Sequence, residues 1–327
     1  MKKIMILLVA VFTFSLVGCS ESIDVDTIPG RTEDTIDNTT DDDLIESIIF
    51  NYLNETPPVN ELKLFGPAGY LSNQYWHWHG TPVFSPDGKE MYWSKYIKAT
   101  NEIETWFTKE NDSNWGEPEE LTIDGVSGAI NCPVFADEGR ELYFLNLDGM
   151  KFTIFKVTRD EDTWTNPEAI NINIPQGKVL GWSFSIAENK NIYFLLWDIN
   201  GLEHQKIYRS VYDNGEYGDP QPLDILDVGS DGVGGPAIAP DESYIIFDSV
   251  VSNGFGMHDL YVSFKNNMGE FTIPINLGDQ VNTNQEDAGS TISSDGLYLF
   301  FTAMKATDLG YNPYWIRIDD LEAFEVE

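Results

Sequence analysis

The chain has 327 residues, 13% of them aromatic, and carries 54 acidic against 19 basic side chains for a formal net charge of −35. This length and aromatic content suffice for one large folded domain or two smaller ones, and exclude a wholly disordered chain. The acidic surface repels nucleic acid and anionic lipid headgroups, so we expect neither as a partner. Two cysteines, Cys19 and Cys132, are too few for a disulfide framework.

The first 18 residues have the pattern of a bacterial secretion signal. Lys2 and Lys3 precede an almost wholly apolar stretch, 4–16, that is short for a membrane-spanning helix. It ends in Leu16-Val17-Gly18-Cys19, which resembles the lipobox of bacterial lipoproteins. The resemblance implies lipidation of Cys19, which anchors the mature protein to the outer membrane on its periplasmic or surface side. The alternative is an ordinary signal peptide with an incidental cysteine.

Two segments are predicted between the signal and the main domain. Residues 19–42 are acidic and poor in aromatic side chains, which predicts a disordered tether. Residues 43–60 are predicted to form a short amphipathic helix, over 43–54, and a connection that begins at Pro57-Pro58. The helix prediction rests on apolar residues at helical spacing, namely Leu44, Ile45, Ile48, Ile49, Tyr52 and Leu53. We expect this helix to pack on the domain that follows.

Residues 61–327 contain five similar units. Each begins with a short strand, a tight turn such as Pro86-Asp87-Gly88, and a second strand. A third strand follows, and then, in the first four units, an element with an aromatic residue, a proline and an aliphatic residue. Equivalent anchor residues are spaced by 51, 49, 54 and 54 positions; they are Phe84, Phe135, Phe184, Ile238 and Ile292. Four antiparallel strands repeated at this period predict an all-β fold, a β-propeller.

The fifth unit ends before its fourth strand. Residues 61–65 precede the first unit as residues 119–123 precede the second, so we predict that 61–65 pair with the last blade around Trp315. This pairing would close the ring and hide two sheet edges. We expect five blades rather than six, because residues 20–60 are too polar to supply another one.

The repeated turn carries a resemblance to a known family. The Pro-Asp-Gly unit, seen in Pro86-Asp87-Gly88 and in part in Pro240-Asp241, resembles the repeat of TolB-like β-propellers over about residues 60–320. The resemblance implies the fold. It implies no single function, because such repeats serve as binding platforms, as adjuncts to peptidases and as scaffolds of polysaccharide lyases.

Propellers place ligands at the mouth of the central channel, on the loops that enter the innermost strands. We expect these loops to bring eight side chains into one ligand-binding funnel: His77, Trp78, His79, Asn131, Trp182, Asp231, Glu286 and Asp287. The two tryptophans suit stacking on a sugar or a peptide side chain. The alternative for them is a place in the blade core.

His77 and His79 face the same way if their segment is extended. Both would then bind one divalent metal, with Asp231, Glu286 or Asp287 completing the ligands. TolB-like polysaccharide lyases use histidine-bound metal on such a face, so the resemblance favours this hypothesis. The alternative is that these histidines pack as aromatic surface or contact a carbohydrate. No other cofactor is implied.

Two functions remain open at this stage. The sequence has no nucleophile elbow, phosphate-binding glycine loop or zinc-protease motif. This favours a monomeric, lipid-anchored, non-enzymatic propeller that binds an envelope protein or a glycan. The alternative is a metal-dependent polysaccharide lyase or hydrolase that uses the funnel. Without residues 1–18 the net charge is −37, which disfavours a polyanionic substrate.

Overall fold

The protein is a five-bladed β-propeller, as predicted. The computed structural model describes residues 50–66, 75–76, 80–97, 100, 102–149, 151–223, 225, 230–304 and 311–325. Each blade is an antiparallel sheet whose strands run from the central channel outwards in chain order. The exception is the last blade, which takes its outermost strand from the amino-terminal side of the domain.

The first three blades have the following strands, from innermost to outermost. Blade 1 has a two-piece innermost strand and then three more: Tyr75–Trp76 with Val83–Phe84, Glu90–Ile97, Glu102–Asn111 and Glu119–Glu120. Asn114–Trp115 adds a short hairpin to its third strand. Blade 2 has Ala129–Ala136, Glu141–Asp148, Lys151–Asp160 and Thr163–Ala169. Blade 3 has Lys178–Ile186, Ile192–Asp198, Gly201–Ser210 and Gln221–Pro222, and the hairpin of Tyr212–Asp213 with Glu216–Tyr217 follows its third strand.

The last two blades complete the ring. Blade 4 has Ser230–Ile238, Tyr244–Val251, Asp259–Phe264 and Ile275–Asn276. Blade 5 has Glu286–Ile292, Tyr298–Met304, Asn312–Arg317 and Lys63–Leu64. Three short 3₁₀ helices are Asp137–Gly139, Ile318–Asp320 and Glu322–Phe324. No helix among the described residues is long and apolar enough to cross a bilayer.

The predicted closure of the ring is confirmed. Lys63 pairs with Trp315 and Leu64 with Tyr314 in antiparallel register. The next residue, Phe65, is fully buried, and its ring lies 5.2 Å from that of Trp315. The amino-terminal strand therefore covers the edge that the last blade would otherwise expose.

The predicted helix over 43–54 is only partly within the described residues. Residues 43–49 lie outside them, and residues 51–54 contain a bend and a turn, with Leu53 and Asn54 at positive φ. Tyr52 and Leu53 are nevertheless buried against blades 1 and 5. Tyr52 and Leu53 thus pack on the propeller, whereas residues 51–54 are not helical.

We call the two ends of the propeller the turn end and the loop end. The turn end holds the repeated tight turns between the first and second strands. In blade 1, Asp87 Oδ1 accepts hydrogen bonds from Ser85 Oγ (2.5 Å) and Lys89 N (3.1 Å), while Gly88 has a φ of +70°. Asp295 makes the same contacts in blade 5. The loop end is the opposite one, where the innermost strands begin and the second strands join the third.

Neighbouring blades are joined at the turn end by buried ion pairs. Both Glu90 oxygens on blade 1 bind the Arg159 guanidinium of blade 2, at 2.9 and 2.8 Å, and Lys109 Nζ lies 3.1 Å away. Burial alone would raise the pKa of Glu90, but these cations lower it more. Glu242 of blade 4 likewise meets Arg209 of blade 3 and Lys265. Arg159 and Arg209 therefore each join their blade to a neighbouring one.

The innermost strands of blades 2 to 5 share an irregularity near their middle. The register shifts between residues 131 and 134, 180 and 184, 234 and 237, and 288 and 291. Cys132, Gly235 and Gly289 have positive φ at these points. Such bulges re-aim the side chains on either side. The loop-end half of each innermost strand thus follows a different register from the turn-end half.

Candidate functional site

The innermost strands of all five blades enclose a central channel of about 510 Å³. Side chains on its wall bridge neighbouring blades. Ser290 Oγ of blade 5 donates to Gly235 O of blade 4 at 3.1 Å, and Thr291 Oγ1 donates to Pro82 O of blade 1 at 3.1 Å. At the turn end the wall includes Asp137, Glu138 and Glu188. Arg140 lies 2.8 Å from Asp137 and 3.7 Å from Glu138, so part of this acidic charge is neutralised.

Four of the predicted residues lie outside the described part of the chain. They are Cys19, His77, Trp78 and His79. Asp231 lies on the innermost strand of blade 4, but its side chain is outside the description. The lipidation site and the histidine pair therefore remain predictions.

Asn131 and Trp182 lie on neighbouring blades and are packed rather than open. The Asn131 side chain faces the same side of blade 2 as Leu145, its partner across the sheet, and is 1% exposed. Trp182 is half-buried, with its ring 4.5 Å from that of Trp197. Trp182 thus packs beside the blade core, and its part in ligand binding stays a prediction.

Glu286 and Asp287 open the innermost strand of blade 5. The fully buried Asp287 fixes the entering loop, because its Oδ2 accepts hydrogen bonds from Thr283 N (2.6 Å) and Thr283 Oγ1 (3.0 Å). Glu286 instead accepts a short hydrogen bond from the Tyr311 hydroxyl. Through this contact Glu286 joins a polar cluster at the loop end.

That cluster joins blades 4 and 5 around a histidine the sequence analysis did not single out. His258 directly precedes the third strand of blade 4, and its Nδ1 lies 3.0 Å from Asp248 Oδ2. The backbone N–H of Asp287 donates to His258 O at 2.9 Å, which brings Glu286 alongside. The lone histidine sits in a segment without a recognisable motif, so only the tertiary structure reveals it.

The charges of the cluster act on its titratable groups. Burial lowers the pKa of His258, but the hydrogen bond and charge of Asp248, with the charges of Glu286 and Asp259, outweigh it and raise the pKa above its ordinary value. Burial and the Glu286 carboxylate raise the pKa of Tyr311, which stays protonated. The cluster thus combines several carboxylates with a histidine whose protonated form they stabilise. Within the described residues no three acidic, His or Cys side chains could hold a metal ion.

A second feature of the loop end is an apolar groove of about 660 Å³ between blades 2 and 3. Its walls come from the third strand of blade 2, the connection to blade 3 and the first two strands of blade 3. Isoleucines alternate with asparagines over 170–174, which places three isoleucines on the groove. Lys151 and Lys178 lie at its rim, and Ile199 is 64% exposed. This volume falls within the range of ligand pockets, roughly 300–1,000 Å³.

The fold is a five-bladed propeller with a central channel and, at its loop end, a polar cluster and an apolar groove. No family model and no curated protein matches the chain. Among solved structures it is similar to TolB from Acinetobacter baumannii, with 14% identity, a TM-score of 0.45, and coverage of 74% of this chain and 55% of that one. The chain thus spans about half of that protein.

Two further structures show the same level of likeness. A putative TolB from Agrobacterium tumefaciens has 16% identity, a TM-score of 0.48, and coverage of 74% of this chain and 77% of that one. A glycoside hydrolase has 10% identity, a TM-score of 0.47, and coverage of 76% and 93%. The structural neighbours thus include TolB proteins, the family that the repeat resembles. At such values we draw no functional conclusion from these neighbours.

Proposed function

We propose that this protein is a lipid-anchored component of the bacterial cell envelope whose propeller binds a protein partner without catalysing a reaction. The partner docks at the loop end, with apolar side chains in the groove between blades 2 and 3. Exposed apolar patches of this kind commonly mark interaction sites in soluble proteins. The groove is the single observation that carries the proposal.

The path of the chain supports the choice of the loop end. The Tyr52 hydroxyl donates to Asp295 Oδ2 at 2.6 Å, and Phe50 contacts Gly88. Both contacts are with tight turns, so the chain enters the propeller at its turn end. The described part of this entering segment therefore lies away from the loop end.

The groove has the composition of an interface core. Aliphatic side chains line it, and burial of one such side chain on binding contributes roughly 1.5–3 kcal/mol. The rim lysines give it a polar border, although Lys178 Nζ already lies 3.0 Å from Asp198 Oδ1. An apolar core with a polar rim is the usual arrangement of a protein interface.

The docking half of the proposal is tested with two matched variants, Ile199→Asp and Ile273→Asp. Their exposures are similar, 64% and 68%, but Ile273 lies on the outer rim of blade 4, away from the groove. Envelope proteins that co-purify with each variant are quantified by mass spectrometry. We expect Ile199→Asp to lose the partner that the wild type and Ile273→Asp retain. Equal retention by both variants contradicts the proposed site.

The anchoring half is tested with Cys19→Ala. We expect this variant to lack acyl chains and to leave the detergent phase on phase separation, because the lipobox cysteine carries the lipid. The wild type serves as the control. Unchanged acylation and partitioning of Cys19→Ala contradict the lipoprotein assignment without touching the docking proposal.

A further inference from the structure

A second exposed apolar feature lies at the loop end, on the segment 252–258 between the second and third strands of blade 4. Phe255 is 49% exposed, and it is the one aromatic side chain among the described residues that is classed as exposed. Met257, two residues on, is 63% exposed. Aromatic and methionine side chains are enriched at protein interfaces.

The conformation of this segment is fixed by buried groups. Asp259, which is 1% exposed, accepts hydrogen bonds at Oδ2 from Phe255 N (2.7 Å) and at Oδ1 from Gly256 N (3.0 Å). Met257 N donates to Gln285 O at 2.6 Å, which fastens the segment to blade 5. The two exposed side chains therefore stand on a preformed support, and little conformational entropy is lost when they bind.

Two glycines make this support possible. A Cβ atom on Gly254 would lie 2.3 Å from Asp259 Oδ2, and one on Gly256 would lie 2.2 Å from Gln285 O. Both distances are far below van der Waals contact, so the backbone needs glycine at these positions to come this close. The sequence of the segment is thus specific for presenting Phe255 and Met257 in one conformation.

The surroundings of the segment are acidic. His258 follows Met257 directly and contacts Asp248, with Glu286 beside it. Within the described residues, neither Asp248 nor Glu286 forms an ion pair with a lysine or an arginine. The mature chain also carries a net charge of −37. A partner that approaches Phe255 and Met257 therefore gains from positive charge around its own apolar surface.

We infer that segment 252–258 is a second docking point of the loop end, and that it fits a protein surface with an apolar pocket bordered by lysine or arginine side chains. The inference deepens the proposed function and rests on it. It differs from the groove between blades 2 and 3 in its charge, because Lys178 at the groove is paired with Asp198, whereas Asp248 and Glu286 have no lysine or arginine partner among the described residues.

The test uses the mature chain with Cys19→Ala and methionines labelled with ¹³C at the methyl group. Two synthetic peptides serve as probes, one with leucine and phenylalanine flanked by arginines and one with the same apolar residues flanked by glutamates. We expect the basic peptide to shift the Met257 methyl resonance and to leave that of Met268 unchanged. Met268 is a matched internal control, because it is 79% exposed but lies beyond the third strand of blade 4, at the turn end.

Phe255→Ser is expected to weaken binding of the basic peptide by at least about tenfold, while Met268→Ser leaves it unchanged. The inference is overturned if both methyl resonances shift equally, or if the acidic peptide binds as tightly as the basic one. It is also overturned if Phe255→Ser does not weaken binding of the basic peptide. A Met257 resonance that moves with protein concentration alone also overturns it, because the occupant is then a second copy of the chain. The co-purification of Ile199→Asp is measured separately, so failure of this docking point is distinguishable from failure of the proposed function.

Discussion

The two ends of the propeller use their charged residues differently. At the turn end, Glu90 and Glu242 are buried and each meets two basic side chains, so negative charge is neutralised between blades. At the loop end, Asp248 and Glu286 meet His258 and Tyr311 instead. Exposed apolar side chains occur at both ends, for example Met268 at the turn end and Met257 at the loop end. The difference in charge supports the proposal that the turn end holds the ring together and that the loop end binds partners.

The largest expected effect concerns closure of the ring. Phe65→Ala removes a fully buried ring that packs on Trp315, and it should lower the free energy of unfolding by about 3–5 kcal/mol. Leu64→Ala is the control, because Leu64 is 45% exposed and its change should stay within about 0.5 kcal/mol. Urea unfolding measures both. Similar losses for the two variants would show that the closing strand is held by its backbone and not by this ring.

An intermediate effect compares one contact at each end. Arg159→Leu leaves Lys109 as the one cation among the described residues that pairs with the buried Glu90. It should lower the free energy of unfolding by about 2–3 kcal/mol, slightly less than the loss expected for a buried charge with no partner. His258→Gln keeps a hydrogen-bond donor for Asp248, so it should lower the free energy of unfolding by about 1 kcal/mol or less. Chemical unfolding of both variants at neutral pH measures the difference. A larger loss for His258→Gln would reverse the assignment of the two ends.

The last comparison concerns pH, and the effect has opposite signs at the two ends. At the turn end, burial would raise the pKa of Glu242, but hydrogen bonds from Tyr193, Asn191 and Lys265 and the charge of Arg209 lower it to about 2. The ionised Glu242 therefore stabilises the fold at a pH above its ordinary pKa of 4.5, and this stabilisation is lost as the pH falls from there towards about 2. Glu242→Gln should flatten the acid limb of the stability profile.

At the loop end, stability depends on pH in the opposite direction. The pKa of His258 is raised above its ordinary value of 6.5, so its contribution is complete below that pH and is lost as the pH rises through the raised value. His258→Gln should remove this alkaline loss and leave the acid limb unchanged. Unfolding measured across the pH range checks both windows. A single window shared by the two variants would show that the ends are not independent.

The fold could be predicted from the sequence because its signals are periodic. The spacing of Phe84, Phe135 and their equivalents fixed the blades, and the missing fourth strand after Trp315 pointed to closure by residues 61–65. The predicted helix lies mostly outside the described residues; over 51–54, apolar spacing did not distinguish a helix from the turn that buries Tyr52 and Leu53.

The site was harder to predict because its residues carry no periodic signal. Glu286 was found from its place at the start of an innermost strand, but its cluster depends on His258, 28 positions earlier in the chain. The contact of Glu90 with Arg159 spans 69 positions. The bulge at Cys132 is a backbone feature that the residue types along the strand do not predict. Contacts of this kind follow from the closed ring and not from local sequence.

The central claim, that partners bind at the loop end, is tested most directly by photo-crosslinking in living cells. A photoreactive phenylalanine analogue is placed at Met257 or at Met268, two exposed methionines at opposite ends of blade 4. We predict a crosslinked envelope protein from position 257 that disappears in the Phe255→Ser background, and none from position 268. Crosslinks from position 268 alone, or equally from both positions, would contradict the account.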